Sequence, residues 1–478
     1  MIDVALIAQV ILWIVMIGFF LGSRQASVFH PATAYLAFHG LVFVLRPILV
    51  YVFGFDTNWA YMGFKPSDDV FVRTLAVSSV GMVCFVATSL FFGRSRLVFA
   101  DQTPPTFSLL EKRALLVTTL MLLPAMAYSI YATRNGVAGE RINGIYIMTN
   151  STGYINEAQD FIMPLLCVWM VVTRFHWLGL VPSILYVGYR TWYGWSRWTI
   201  LLFFLLVVVM YCWYHRRKWI PFWSVFMAIP ILLLFNLIGH NRDMFKSLLT
   251  GEDTHVAEFD VGMTADEKLK AQFDTQDFAN FDFLTYVVWA VPAKTGTYTF
   301  GVQYVQLFTE PIPRILWRGK PVGSPVKTID VGAYGNFTGL TFSLAGDGWI
   351  SGGWLGLIIT LSAVGTAVGL AHRRFWRNGE NTMGCILYLV ALAMVPQWYR
   401  DGGISIAKFL LFNVTPILMW MGMKWLIGRR LIPGYSVLLP AGAQVRILQP
   451  DQSIRRQPPG TPEKLQGSTS EIDARSSA

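Results

Sequence analysis

Basic side chains in one proline-containing stretch are the clearest sign of chemistry in this sequence. The stretch Glu310–Pro321 reads EPIPRILWRGKP and places Arg314, Arg318 and Lys320 beside Trp317. Only 14% of the chain is charged, so this concentration stands out. Because its prolines disfavour a regular helix and a guanidinium holds phosphate oxygens through a planar pair of donors, the stretch predicts a non-helical anion-binding segment.

Further cations lie in or beside apolar segments, where a charge is costly. Arg46 lies inside an apolar run, Arg190 and Arg197 flank the turn TWYGWS, and Arg400 and Lys408 lie in YRDGGISIAK. An ionised side chain in hydrocarbon costs about 2.5–3.5 kcal/mol and is therefore usually functional or paired. For any single residue, snorkelling or an ion pair explains the charge as well as function does.

The acidic residues predicted near these cations are fewer than the cations themselves. They are mainly Glu310, Asp347 and Asp401. A surplus of cations at the predicted membrane boundary indicates an anionic ligand that is not protein. Since the arginine fork suits phosphate oxygens, the residues point to a lipid phosphate or diphosphate.

The composition is that of a polytopic membrane protein. Of 478 residues, 54% are hydrophobic, and many apolar runs reach the roughly 18 residues that cross a bilayer. The formal charge of +10 could indicate nucleic acid, but the basic residues lie mostly beside helix ends, which is typical of membrane orientation. Four cysteines within apolar runs and seven scattered histidines predict no disulfide framework, metal site or cofactor.

The sequence predicts an all-α fold of about eleven helices. Two of them, 161–174 and 177–190, are short for a membrane span. Glycines at Gly348, Gly352 and Gly356 predict close packing of one helix against its neighbours. The predicted helices are 4–22, 33–54, 71–92, 114–132, 161–174, 177–190, 198–214, 219–239, 349–371, 383–398 and 405–427.

The connections between these helices alternate between two sets, one richer and one poorer in Lys and Arg. The richer set is expected in the cytoplasm, which puts the N-terminus outside and the C-terminus inside. The poorer set contains Lys65, Arg73, Arg134, Arg141, Arg190, Arg197 and Arg400. The richer set contains Arg24, Arg94, Arg96, Lys112, Arg113, Arg174, Arg216, Arg217, Lys218, Arg373, Arg374, Arg377, Lys424, Arg429 and Arg430.

Four regions follow from this arrangement. Residues 1–239 carry the first eight helices and residues 349–430 the last three, with a long outer loop at 240–348 between them. Loops of this length are usually functional, and Gly301–Phe308 is a partly amphipathic stretch within it. The polar residues 431–478 predict a disordered cytoplasmic tail.

Three stretches resemble the bacterial oligosaccharide repeat-unit polymerases, the Wzy-type O-antigen polymerase family. They are GVQYVQLFTEPIPRILWRGKP at Gly301–Pro321, LAGDGWISGGWLG at Leu344–Gly356 and YRDGG at Tyr399–Gly403. The SRW at Ser196–Trp198 is similar to a fourth family element. The chain departs from the family where Asp347 replaces a glutamate and Arg318 replaces a proline.

The resemblance implies a GT-C-like glycosyltransferase of the bacterial inner membrane that needs no metal. It would transfer a glycan from undecaprenyl diphosphate to the non-reducing end of another lipid-linked repeat unit at the periplasmic face, in O-antigen, capsule or exopolysaccharide synthesis. A chain-length regulator is an expected protein partner. Glu310 and Asp347 are candidates for the catalytic base. Their alternative roles are an ion pair with Arg314 for Glu310 and an interaction with the helix dipole for Asp347. His240 is a third candidate base, although a lone histidine at a helix end is more often structural.

Two other functions remain open. An O-antigen ligase would use the same donor and a different acceptor. A flippase or transporter of lipid-linked sugars would also present outward cations, but inverted repeats and a polar site in mid-membrane are typical of that class.

Overall fold

The computed structural model of the chain is helical almost throughout. It describes residues 1–95, 104–134, 139–142, 145–148, 157–192, 197–221, 279–309, 331–335, 343–377 and 381–431, together with Asp274, Trp317, Ile329, Thr341 and Gly379. Within some of the helices the structure describes the backbone alone.

The helices are numbered in chain order over this part of the protein. A π-helical turn, Gly40–Leu45, joins α2 to α3, a 3-10 turn at Ala158–Phe161 leads into α7, and another lies at Val331–Tyr334. The helices are α1 Ile2–Gly22, α2 Pro31–His39, α3 Arg46–Phe53, α4 Thr57–Met62, α5 Asp68–Phe92, α6 Leu109–Arg134, α7 Ile162–Val172, α8 Trp177–Trp192, α9 Arg197–Tyr214, α10 Asn280–Ala290, α11 Val302–Thr309, α12 Ser343–Arg377, α13 Thr382–Ala393, α14 Val395–Asp401 and α15 Gly403–Leu431.

In the described part of the chain, one small β-hairpin interrupts this helical pattern. Strand β1, Gly139–Ile142, pairs antiparallel with β2, Ile145–Met148, so that Ile142 lies opposite Ile145.

Seven helical segments in the described part of the chain are long and apolar enough to cross a membrane. Ala158–Val172 and Trp198–Tyr214 are apolar but shorter. The prediction of an all-α membrane protein is confirmed at this level. The spans are Ile2–Gly22, Pro31–Phe53, Asp68–Phe92, Leu109–Ala132, Ser343–Arg377, Thr382–Asp401 and Phe409–Arg429.

Ten of the eleven predicted helices coincide with described ones, and most boundaries shift by a few residues. Most of the remaining segment, 219–239, and all of the tail at 432–478 lie outside the described residues. The outer loop adds α10 and α11, and α11 matches the amphipathic stretch predicted at Gly301–Phe308.

Among the described residues, several members of the richer basic set lie at one end of the helical bundle. The backbone N–H of Val28 donates to the carbonyl of Lys218 at 3.1 Å. The indole of Trp420 donates to the carbonyl of Glu111 at 2.9 Å, and the Glu111 carboxylate pairs with Lys424 at 2.8 Å. We call this the basic end.

The opposite end contains described segments of the connections that are predicted to lie outside. Helix α5 connects the two ends: Gln25 donates to the carbonyl of Leu90 near its last turn, and Phe71 in its first turn packs on Phe281 of the outer loop. A 25-residue helix is about 37 Å long, enough to separate the ends by a bilayer. We call this second end the loop end.

Helix α12 is broken and is not the single straight span that was predicted from 349 to 371. Its 35 residues include Gly352 and Gly353, and Gly353 has φ +59° and ψ −133°, which only glycine tolerates readily. Its first part, residues 343–350, is buried on every side and folds back on the second part. A Cβ atom on Gly348 would lie 2.9 Å from the Cα atom of Leu357.

The glycine repeat therefore serves a different purpose from the one predicted. Gly348 and Gly356 bring the two halves of α12 together, while Gly352 lies in the break between them. Small residues permit this close backbone approach. The fold-back places a short buried half-helix, Ser343–Ser351, at the loop end of the bundle.

Candidate functional site

Asp347 lies at the centre of a polar cluster on the buried half-helix of α12. Its side chain is 1% exposed. Oδ2 accepts hydrogen bonds from the backbone N–H of Gly403 at 2.8 Å and from the hydroxyl of Tyr304 at 3.0 Å. Oδ1 accepts one from Nε2 of Gln303 at 3.3 Å. Both carboxylate oxygens are thus held by donors from two other segments of the chain.

Helix α11 supplies two of these donors from neighbouring positions. Gln303 also donates to the hydroxyl of Ser351, and the Tyr304 hydroxyl lies 3.3 Å from that of Thr360, beyond the break in α12. Burial, followed by the charge of Asp347, raises the pKa of Tyr304, so its hydroxyl keeps its proton and can donate. Helix α11 therefore ties together the two halves of α12.

The C-terminal end of the half-helix is fixed by the chain that leads into α11. The backbone N–H of Thr299 donates to the carbonyl of Ile350 at 2.9 Å, and its hydroxyl donates to the same carbonyl at 3.2 Å. The indole of Trp349 donates to the carbonyl of Val291 at 2.9 Å. The two bonds from Thr299 satisfy the Ile350 carbonyl, which the helix break leaves without a helical partner.

The YRDGG stretch forms the turn between α14 and α15 and packs directly on Asp347. Gly402 has φ +91°, a conformation that favours glycine. A Cβ atom on Gly403 would lie 2.7 Å from Oδ2 of Asp347. Asn280 of α10 donates from Nδ2 to the carbonyl of Arg400 at 3.0 Å. The turn is thus held from both sides, by α12 and by α10.

Arg400 projects from this turn onto an aromatic ring. Its guanidinium carbon lies 4.5 Å from the ring centroid of Trp198, at the start of α9, and one of its nitrogens lies 3.8 Å from the Asp401 carboxylate. The Arg400 side chain is 15% exposed. Stacking on an aromatic ring uses the face of a guanidinium, while its N–H donors point outward in the plane of the group. The arrangement suits a phosphate oxygen.

A buried layer of aromatic side chains packs against Tyr399, the first residue of this turn. The Tyr399 hydroxyl lies 2.7 Å from Nδ1 of His39, and the Tyr399 ring packs edge-on against Tyr35 at 4.1 Å between centroids. Tyr35 in turn stacks on Phe85 of α5 at 4.0 Å. The layer gives the residue before Arg400 a fixed position.

Arg46 is engaged by carboxylates that the sequence analysis did not count. It binds Asp282 at 2.6 Å and Asp274 at 2.7 Å, and all three side chains are nearly inaccessible to solvent. The expectation that acids near the cations were too few is wrong for this residue. Its partners were missed because they lie more than 200 positions away in the sequence.

Burial raises the pKa of Asp282 to about 6. Arg46 opposes this shift and the negative charge of Asp274 adds to it. Two carboxylates around one guanidinium carry a net negative charge in a poorly solvated place, which favours protonation of one of them. The cluster anchors α10 to α3 and adjoins Asn280.

Arg190 is also paired. It donates to Asp160 at 2.6 Å and lies near Gln159 and the hydroxyl of Tyr186, at 3.3 and 3.2 Å. This site connects the end of α8 to the 3-10 turn before α7. A buried cation in such a pair is strongly held by its acid, so a structural role accounts for its position.

Most of the basic stretch Glu310–Pro321 lies outside the described residues. Glu310, Arg314, Arg318 and Lys320 lie outside the described residues, and Trp317 is 39% exposed. Arg197 and Lys408 lie in α9 and α15 respectively, where the structure describes only their backbone. Their assignment to diphosphate or glycan binding stays a prediction. No group of three or more His, Cys, Asp or Glu residues in the described ranges is placed to hold a metal ion.

Three residues of the site were not singled out from the sequence. Gln303 and Tyr304 lie within the quoted GVQYVQ stretch, so closer attention to its polar residues could have found them. Asn280 lies in an ordinary apolar context, and nothing in its local sequence indicates a contact with Arg400. Such contacts depend on the packing of distant segments.

Comparisons of the chain with protein-family models, with curated proteins and with solved structures found no match. The resemblance to the Wzy-type polymerases therefore rests on the quoted motifs alone.

Proposed function

We propose that the protein polymerises lipid-linked oligosaccharide repeat units. The observation that carries the proposal is the hydrogen bond between Asp347 and Gly403, with Tyr304 bound to the same carboxylate oxygen. These three residues come from the three separate stretches that resemble the polymerase family. The three stretches contact one another through a single polar cluster, which is what we expect if they form one site.

The proposed site takes the diphosphate of a polyprenyl-linked donor. Arg400 is the described cation best suited to this role, because its guanidinium is held on Trp198 and remains partly exposed. The anion site is proposed to be completed by three cations of the stretch Glu310–Pro321, namely Arg314, Arg318 and Lys320. Its border is proposed to contain Arg197, Lys408 and Trp317. Preorganised cations stabilise a leaving diphosphate better than water does.

The proposed reaction forms one glycosidic bond and breaks one. A hydroxyl oxygen at the non-reducing end of the acceptor glycan attacks the anomeric carbon of the donor. The bond from that carbon to the diphosphate oxygen breaks, and polyprenyl diphosphate leaves with the electron pair. A carboxylate accepts the proton of the attacking hydroxyl.

Asp347 suits a positioning role better than a direct exchange with the sugar. Its oxygens accept three hydrogen bonds and its side chain is 1% exposed. A sugar hydroxyl would have to displace Tyr304 or Gln303 to reach it. We therefore assign Asp347 to holding the Arg400 turn. Glu310 and His240 remain the candidate bases from the sequence.

We further propose a GT-C-like arrangement with about eleven spans in the bacterial inner membrane. The loop end would face the periplasm and the basic end the cytoplasm, following the distribution of Lys and Arg. The substrates would be undecaprenyl diphosphate-linked donor and acceptor glycans, and a chain-length regulator would be the protein partner.

Deletion of the gene in its own bacterium tests this function. A polymerase defect leaves single repeat units on the final acceptor, while a ligase defect leaves glycan on the carrier lipid. Loss of both polymer and single units would contradict the proposal.

The break in α12 favours one second candidate, a transporter of lipid-linked sugars. Broken helices with buried polar residues are common in transporters, and Gly353 with Asp347 fits that description. Vesicles containing purified protein decide between the two. Movement of a lipid-linked unit across the bilayer without new glycosidic bonds would favour transport.

A further inference from the structure

A cleft of about 390 Å³ opens between α12, α13 and α15, away from the site around Asp347. Its walls are mostly apolar side chains, among them Leu387, Leu410 and Val414. Arg374 and Asn381 line it at the connection between α12 and α13. The cleft therefore has one polar mouth and a long apolar interior.

The depth of the cleft matches one leaflet of a bilayer. Along α13 the lining runs from Asn381 to Ala391, which is about 15 Å at 1.5 Å per residue. Along α15 it runs from Met421 to Leu410, again roughly 16 Å. Half of a 30 Å hydrocarbon core is about 15 Å, so the cleft has the length of one acyl-chain layer.

The mouth of the cleft carries a cation with no acidic partner in the described part of the chain. Arg374 is exposed and forms no ion pair with a described residue. Arg377 shares the last turn of α12 with Arg374, and Arg373 directly precedes it, at the basic end. A guanidinium beside an apolar groove at a membrane boundary matches a phosphate with an acyl chain attached.

We infer that this cleft binds an anionic phospholipid of the leaflet at the basic end, with the phosphate on Arg374 and one acyl chain between α13 and α15. Phosphatidylcholine would gain the same apolar contacts and also carries a phosphate, but the choline cation beside that phosphate would be repelled by Arg374 and Arg377. The site is separate from the proposed glycan site and does not depend on that function.

Native mass spectrometry of the full-length protein tests this inference. Delipidated protein is offered equal amounts of dioleoyl phosphatidylglycerol and dioleoyl phosphatidylcholine, which share their acyl chains. We expect phosphatidylglycerol adducts to exceed phosphatidylcholine adducts roughly fivefold, the effect of one basic contact at a membrane surface. Equal adducts of the two lipids would overturn the inference.

Matched variants locate the site. Arg374→Gln should lower phosphatidylglycerol binding about fivefold, while Arg24→Gln removes an exposed cation of the same basic set and should leave binding unchanged. Ala391→Phe, which fills the cleft from its inner wall, should reduce the adduct with the arginine intact. The inference would be overturned if Arg374→Gln and Arg24→Gln lost phosphatidylglycerol binding equally. It would also be overturned if both Arg374→Gln and Ala391→Phe bound this lipid as well as the wild-type protein does.

Discussion

The backbone N–H of Gly403 donates a 2.8 Å hydrogen bond to Oδ2 of Asp347, a residue 56 positions earlier in the chain. The bond joins the buried half of the broken helix α12 to the first residue of α15. Because Arg400 lies one turn before Gly403, the position of its guanidinium on Trp198 depends on this contact.

Gly403→Ala should destabilise the protein and lower its activity. The added methyl group would lie 2.7 Å from both Oδ2 of Asp347 and a ring carbon of Tyr304, closer than atoms can approach. We expect a loss of about 1–3 kcal/mol, the usual cost of overpacking. Gly422→Ala is the control, since nothing lies within 4 Å of a Cβ atom at that position of α15. Equal unfolding temperatures for the two variants in detergent would contradict the packing described.

Asp347→Asn should be destabilising even though the side chain keeps its size. The amide has one acceptor oxygen and would turn an NH₂ group toward the donors of Tyr304, Gln303 or Gly403. An unsatisfied buried donor costs about 1–3 kcal/mol. Asp69→Asn, at an exposed ion pair with Arg73, should change stability by less than about 0.5 kcal/mol. Thermal unfolding monitored by fluorescence compares the two, and equal losses would argue against a structural role for Asp347.

Replacement of the proposed diphosphate contacts should shorten the polymer without preventing membrane insertion. We expect Arg400→Gln and Arg314→Ala each to reduce polymer at least tenfold, an order of magnitude typical of losing a charge-stabilising donor. Arg400→Lys should recover only part of the loss, because lysine lacks the planar group that stacks on Trp198. Arg73→Gln removes an exposed arginine of the loop end and should have no effect. Gel profiles of the polysaccharide give the readout, and normal polymer in Arg400→Gln and Arg314→Ala would refute the assignment.

Acidification from pH 7.5 to pH 5 should stabilise the loop end through Asp282. Its pKa is raised to about 6 from an ordinary 3.8, so the folded state binds this proton more tightly than the unfolded state. The free-energy cost of the buried Asp282 carboxylate destabilises the folded state fully above pH 6, and this cost declines as the pH falls toward 4. Hydrogen exchange of α10 should slow over this range beyond the intrinsic chemical effect, which an exposed helix of the same protein reports.

Asp274→Asn provides the control for this titration. Removing the second carboxylate leaves Arg46 with Asp282 alone, which should lower the pKa of Asp282 and weaken the dependence on pH between 5 and 7.5. An unchanged pH dependence in this variant would contradict the shared ion-pair cluster.

The sequence was sufficient to place most helices, because a run of apolar residues has only one stable arrangement in a membrane. The break in α12 was not predicted. Its residues are as apolar as those of an unbroken span, and the signal at Gly352 and Gly353 is the same glycine pattern that packs ordinary helices. The broken helix is distinguished from an unbroken span only by the contact of Gly348 with Leu357, which the fold-back creates.

The sequence predicted which segments form the site, but it did not predict which side chains contact each other. Asp347 and the YRDGG turn were both selected from the sequence, and they do touch. Arg46 was selected as a candidate contact for an anionic ligand, yet it binds Asp282 and Asp274. Ion pairs between residues far apart in the chain are set by helix packing, which local sequence patterns do not encode.

Purified protein incubated with lipid-linked repeat units, without any other enzyme, tests the proposed function most directly. The proposal predicts a ladder of glycans that grows by whole repeat units on one lipid carrier, with one polyprenyl diphosphate released for each bond formed. The Arg400→Gln variant should give a weaker ladder than Arg73→Gln. Repeat units that stay single while wild-type protein remains folded in the membrane would contradict the proposal.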